Sequence, residues 1–140
     1  MNTELKLTDF KIVTSDKIRY ADTDRQGHVN NSVFNQFLET GRVEVIYNPS
    51  QPLHSENGSF VIAKLSIEFL AEVNWPGNVL IGSRIQKVGN SSFVLEQGIF
   101  QNDLIVAFAE TVIVHVNKVT KKSESFADKS KKILLEKFSQ

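Results

Sequence analysis

Tyr20-Ala21-Asp22-Thr23-Asp24-Arg25-Gln26-Gly27-His28-Val29-Asn30-Asn31 decides how the rest of the chain is read. It gathers two carboxylates, an imidazole, a glycine and two adjacent asparagines between an apolar segment and a segment of helical period. Asp22 to Gly27 has the composition of a loop, and Gly27 is free to take the positive φ that closes a tight turn. Asn30 or Asn31 suits a helix cap, because a short side-chain carbonyl accepts from N–H groups that the first turn leaves without partners.

On the C-terminal side the period becomes 3.6 from Ser32. Phe34, Phe37, Leu38, Gly41 and Val45 form one apolar stripe. Asn35, Gln36, Glu39 and Arg42 lie off it, and Glu39 and Arg42, spaced i, i+3, read as a surface pair. Glycine weakens a helix, so Gly41 on the buried stripe predicts close approach of the backbone to a sheet. Asn48-Pro49 ends the helix, since the residue before proline is pushed out of the α region. Positions 50–59 are loop.

On the N-terminal side, Phe10 to Tyr20 reads as a strand with a bulge at Ser15-Asp16-Lys17. From Phe60 to Val116 everything reads as strand and turn. Val61, Ala63, Leu65, Ile67, Phe69, Ala71 and Val73 alternate with a mostly polar second face. Trp75-Pro76-Gly77-Asn78 and Gly89-Asn90 are turns on either side of a strand at 79–88. A strand from Phe93 to Gln101 meets Asn102-Asp103, a two-residue hairpin connection of residues that tolerate positive φ. Leu104 to Val116 is apolar on both faces over much of its length, as a central strand is. A polar link leads to a short helix at 129–138, begun by Ser125 or Asp128, with Ile133, Leu134 and Phe138 on its apolar side.

One strand, one long helix and four strands joined by short turns make an α+β domain: a curved antiparallel sheet wrapped around one helix. The core spans about 10–117, with the tail and short helix at 118–140, and no second domain or repeat is visible. The sheet is larger than one helix covers and its edges are unprotected, which predicts at least a dimer.

The 140 residues are 41% hydrophobic, enough for one core, and sixteen basic residues balance sixteen acidic ones. That balance gives no electrostatic case for nucleic acid or anionic membrane as a partner. With no cysteine there is neither a disulfide framework nor a thiolate nucleophile, and three scattered histidines have no ligand spacing, so no metal is expected. The N-terminal residues show no secretory h-region, and no apolar run approaches the roughly 20 residues of a membrane span. A cytoplasmic protein without membrane contact is the expectation. The lysines clustered after position 117 read as a solvated tail, and Lys87 with Ser91 and Ser92 as a solvated hairpin.

The run Arg19 to Asn31, followed by Phe34, Phe37, Leu38, Glu39 and Arg42, resembles the hotdog-fold acyl-CoA thioesterases of the 4-hydroxybenzoyl-CoA thioesterase type. The resemblance continues through Val61 to Phe69 and covers roughly residues 10 to 117. It implies a sheet around a central helix, a dimer or tetramer with sites at subunit interfaces, and an acyl-CoA or acyl-carrier-protein substrate, with no cofactor. It places the catalytic carboxylate on Asp24 and the N–H that polarises the thioester carbonyl at about Asn31. Some members carry Tyr where this chain has Phe34, so a hydroxyl function is absent there.

Thioester hydrolysis needs an activated water or a nucleophile, a donor for the carbonyl oxygen as it gains charge, and a slot for the acyl chain. Asp24 is a candidate general base or nucleophile; from spacing alone it reads equally well as a loop carboxylate bonding backbone N–H groups. Asp22 reads as structural. His28 is either a participant in the site or a satisfied histidine near a turn. Asn30 is assigned to loop support and substrate contact, and Phe34 and Phe37 to shaping the acyl slot. Two other functions fit the same fold: an enoyl-CoA hydratase or dehydratase with Asp24 and His28 as acid–base pair, and a non-catalytic acyl-CoA-binding module. Arg25-Gln26-Gly27 between the acidic and imidazole groups argues against the first, and Asp24 itself against the second.

Overall fold

The computed structural model describes residues 4–138, with side chains through position 136. Strands β1 (Ile12–Lys17), β2 (Gly58–Phe69), β3 (Asn78–Val88), β4 (Ser92–Gln101) and β5 (Leu104–Asn117) form one sheet in the order β1-β3-β4-β5-β2. Every pairing is antiparallel. Helix α1 (Asn31–Ile46) lies in its concave face, with its backbone nearest to β1, β3 and β4. Phe34, Phe37 and Leu38 meet Ile81, Ile99 and Ala109 in a core sealed from solvent. Gly41 makes the expected close approach. A Cβ there would stand 2.6 Å from Ile81 Cγ2 and 2.8 Å from Gln97 Nε2.

The helix buries more than the stripe predicted. Val33, Arg42 and Ile46 are buried as well, because a curved sheet wraps both sides of the helix and widens its covered face. Arg42 is therefore no surface residue: it is 5% exposed.

Three strand boundaries also differ from expectation. β1 begins at Ile12, since Phe10 folds onto the outer face of the sheet and packs edge-on against Phe100 at 5.9 Å. Gly82 and Gly98 leave room for its ring; added Cβ atoms would come within 2.7 and 2.9 Å of it. The β1 ladder runs without interruption from Ile12 opposite Ser83 to Lys17 opposite Asn78, so Ser15-Asp16-Lys17 is not a bulge. Tyr20 to Asp22 is a 3-10 turn rather than the end of a strand. The alternation read through Val73 is broken twice: the β2–β5 register shifts between Ile62 and Lys64, and β2 stops at Phe69. There Leu70 and Ala71 both donate to the carbonyl of Val106.

The hairpin joining β4 to β5 turns through Asn102 (φ 52°) and Asp103 (φ 66°), the pair of positive φ values that matches strand twist. Helix α2 (Asp128–Ile133) continues into a wider turn through Phe138 and anchors the tail by Leu134, with Phe126 buried just before it. The Phe138 side chain lies outside the described residues. No helix among the described residues is long and apolar enough to cross a membrane.

A second polar cluster sits under this tail. His115 is buried; its Nε2 accepts from Ser55 N–H at 3.2 Å and its Nδ1 donates to the Glu124 carbonyl at 2.9 Å. A backbone N–H can only donate and a carbonyl only accept, so both ring nitrogens have fixed roles. The Glu124 carboxylate accepts from Ser55 Oγ and from Asn117 Nδ2, and these hydrogen bonds hold it below its ordinary pKa.

Candidate functional site

The loop from Asp22 to Asn30 is a small hydrogen-bonded body of its own. Asp22 is 3% exposed, and accepts from Arg19 N at 2.8 Å and from Arg19 Nη2 at 2.8 Å. Burial alone would raise its pKa. The hydrogen bonds and charge of Arg19 outweigh that, so the carboxyl sits below its ordinary value. The Asp22 carbonyl then receives Asn30 N–H at 2.9 Å, which fixes where α1 starts. Short bridges tie Thr23 to Val29 and His28 to Asn74, and Gly27 takes φ 84° at the tip.

Asp24 projects from this frame and is exposed. Its Oδ1 accepts from Gln26 N–H at 2.9 Å and from His28 N–H at 3.3 Å, an Asx-type turn that orients the carboxylate. The start of α1 presents the complementary group. Asn30 is the cap: its Oδ1 takes Ser32 N–H at 3.0 Å and its carbonyl takes Val33 N–H at 2.9 Å. Asn31, the first helical residue, keeps an N–H that meets no acceptor among the described residues. That N–H belongs to the positive end of the helix dipole.

These groups line one cleft of about 470 Å³, formed by Asp24, Gln26, His28, Val29, Asn30, Asn31 and Phe34 on one side and Phe69 to Glu72 on the other. Phe69 packs edge-on against Phe34 at 5.2 Å, so the cleft has a polar mouth and an apolar wall.

The model of the thioesterase-like superfamily matches residues 18–134. The chain belongs to the thioesterase-like superfamily. Solved structures agree on its fold. A predicted thioesterase from Bacillus stearothermophilus superposes with a TM-score of 0.82 at 26% identity, covering 91% of this chain and 96% of the other. A thioesterase from Thermus thermophilus, solved with coenzyme A and zinc, gives 0.78 at 22% identity, covering 89% and 98%. A 1,4-dihydroxy-2-naphthoyl-CoA thioesterase from Synechocystis gives 0.73 at 16% identity, covering 89% and 95%. No curated protein matches the sequence significantly. The fold is the hotdog fold, and membership of the thioesterase-like superfamily supports thioester hydrolysis as the activity.

Within this thioesterase-like domain, five of the six residues singled out from sequence line the cleft: Asp24, His28, Asn30, Asn31 and Phe34. Phe37 does not. It is buried in the core beside Phe34 and borders a different groove with Asp16, Arg19 and Thr40. Sequence reasoning missed Glu72, whose carboxylate lies 3.0 Å from His28 Nε2. Read as an unbroken strand, 61–73 put Glu72 on a solvated face; its side chain is 66% exposed, but the strand ends at Phe69 and 70–72 line the cleft opposite the loop. Nothing local in the sequence marks that break. Among the described residues no group of three or more His, Asp or Glu is gathered for a metal ion.

Proposed function

We propose that the protein hydrolyses acyl-CoA thioesters in the cleft at the start of α1. The observation that carries the reading is that a carboxylate, Asp24, and the uncapped N–H of Asn31 border one cleft with an apolar wall. A water held by Asp24 attacks the thioester carbonyl carbon while the carboxylate takes its proton. The carbonyl oxygen gains negative charge and accepts from Asn31 N–H, a donor oriented before the reaction begins. Collapse of the tetrahedral intermediate breaks the C–S bond, and the proton on Asp24 passes to the departing thiolate. The products are a carboxylic acid and free CoA, with Asp24 restored. Phe34 and Phe69 form the wall for the acyl group. His28, held by Glu72, and Asn30 keep the loop in place. The coenzyme A bound by the Thermus thermophilus neighbour supports CoA as the carrier.

The unpaired edge of β2 supports a homodimer that closes the open side of the cleft. Val61, Ile62 and Phe69 on that strand are 46%, 46% and 49% exposed, more apolar surface than an edge facing water keeps.

The test is thiol release from short, medium, long and aromatic acyl-CoA substrates by wild type and Asp24→Asn. Asparagine retains Oδ1 as acceptor for Gln26 and His28, so the loop stays folded. Turnover should fall by about 10²-fold or more, the range for loss of a general base. Near wild-type turnover of the best substrate would end the assignment. Loss of conjugated absorbance from an enoyl-CoA without thiol release would identify a hydratase instead.

A further inference from the structure

Arg42 is the one group on α1 whose position the hydrolytic scheme leaves unexplained. It is buried, yet its Nη1 has no hydrogen-bond partner among the described residues. A buried guanidinium nitrogen without an acceptor leaves a desolvation cost uncompensated. Burial pushes the guanidinium below its ordinary pKa; Glu39, one turn back, pulls partly against that through its charge. Glu39 is itself exposed.

Arg42 borders a small cavity of about 140 Å³, which it shares with the exposed Glu39 and with Tyr47, and which is otherwise walled by apolar side chains that include Ile46, Phe60, Val61, Ile62 and Ile113. At about 30 Å³ per water-sized group, that is room for about four or five non-hydrogen atoms. The contents such a site favours are an anionic head on an apolar stem. A planar carboxylate suits a guanidinium, which presents its N–H groups in a fork.

The cavity and the catalytic cleft are separate hollows that both lie along the seam between α1 and β2. The cleft lies between Phe34 of α1 and Phe69 at the end of β2; the cavity lies between Arg42 and Ile46 of α1 and Val61 and Ile62 near the start of β2. Between them Leu65 and Ile67 of β2 pack against the cluster that holds Phe34 and Leu38. Arg42 is eleven positions beyond Asn31 on the same helix, about 16 Å along its axis at about 1.5 Å per residue. An acyl chain whose carbonyl sits at the Asn31 N–H and whose body follows this apolar seam brings its far end to Arg42.

We infer that the cavity at Arg42 is a carboxylate subsite, and that the preferred substrates are acyl thioesters carrying a second carboxylate at the far end of the chain. This rests on the hydrolase reading for its reaction, but the subsite itself is open to a separate measurement.

The experiment compares matched pairs of CoA thioesters, methyl-terminated and carboxylate-terminated, at short, medium and long chain length. Full-length wild type and Arg42→Met are assayed by thiol release. Thermal unfolding midpoints and solution mass are recorded with and without glutarate. Wild type should prefer the carboxylate-terminated member by at least tenfold in kcat/KM at one length, and Arg42→Met should lose that preference. Methionine replaces a buried unpaired charge with an apolar chain, so the variant should unfold at the same temperature as wild type or higher. Glutarate should raise the wild-type midpoint saturably and leave that of Arg42→Met unmoved. Where turnover is seen, equal rates on the two members of each pair, or preference for the methyl terminus, overturns the subsite. A lowered midpoint or changed mass for Arg42→Met also overturns it, by assigning Arg42 to a structural acceptor such as one on a second copy. If no thioester of either kind is cleaved, the hydrolase reading fails and glutarate alone decides. A shift lost in Arg42→Met then upholds the carboxylate site, and no shift rejects it.

Discussion

Two polar clusters in this molecule use nearly the same side chains to opposite ends. The loop at the start of α1 combines Asp24, His28 and two asparagines; the knot beneath the tail combines Glu124, His115, Asn117 and Ser55. In the knot both nitrogens of His115 are engaged, both oxygens of Glu124 accept, and the imidazole is sealed between Phe60 and Phe126. Its hydrogen bonds join positions 55, 115 and 124, so it acts as a clasp between distant parts of the chain. The loop leaves a carboxylate exposed and a helix N–H without an acceptor among the described residues, both at a cleft. Residue types alone do not separate a site from a clasp. The separation lies in which hydrogen-bonding groups are left over, and whether they face a cleft.

The clasp should break by stability alone. A Cβ at Gly58 would collide with His115 Nε2 and stand 2.5 Å from Ser55 Oγ. Gly58→Ala should therefore cost about 1–3 kcal/mol, the range for overpacking a tight site, read as a lower urea midpoint. Thiol release by the folded fraction should stay at the wild-type level. A large drop in turnover at unchanged midpoint would mean that the clasp reaches the site.

A smaller effect tests whether the loop also depends on its cap. Asn30→Ala removes the acceptor for Ser32 N–H. It should lower stability by about 1 kcal/mol, the typical value of an N-cap, and unlike Gly58→Ala it should lower thiol release as well. Unchanged turnover would show that the cleft tolerates a frayed helix start.

The smallest effect concerns acid. The folded-state carboxyl of Asp22 sits below its ordinary value, so the unfolded chain binds the proton first as pH falls. Its stabilisation is complete above about pH 4, the ordinary Asp range, and drains away as pH drops through the lower folded value. Asp22→Asn should be less stable than wild type at neutral pH, with the gap narrowing in acid. A gap that stays constant from neutral to acid would assign the loss to packing rather than to the Arg19 pairing.

Much of this arrangement was readable beforehand because it depends on neighbours in sequence. The 3.6 period after Ser32, the cap at Asn30, the turn at Gly27 and the hairpin at Asn102-Asp103 are local matters, and they deliver the loop to the helix start. What escaped depends on distant contacts. Arg42 looked like a surface residue because its burial comes from the sheet curling around α1. Phe10 looked like strand because the glycines that receive its ring lie at 82 and 98. Glu72 was hidden by an alternation that the sequence carries past the strand's real end at Phe69. Phe37 shares the core cluster with Phe34 but borders a groove other than the cleft, a difference set by the sheet and loop around the helix. The exposed Asp24 fits both readings that spacing left open, since it is the acceptor of an Asx-type turn and also a wall of the cleft.

If the uncapped N–H of Asn31 stabilises the reacting carbonyl, as proposed, Asn31→Pro should abolish that contribution. Proline is well accepted at the first helical position, where its missing N–H would have no helical partner. The preceding residue, Asn30, already has the extended backbone that proline requires, with φ −62° and ψ 139°. The substitution thus removes one donor and leaves the helix intact. The measurement is kcat for thiol release from the best acyl-CoA, with the unfolding midpoint recorded alongside. The kcat should fall by about 10²–10³-fold, the range for losing one oxyanion donor, at an unchanged or higher midpoint. Near wild-type kcat in a folded Asn31→Pro protein would contradict the proposal.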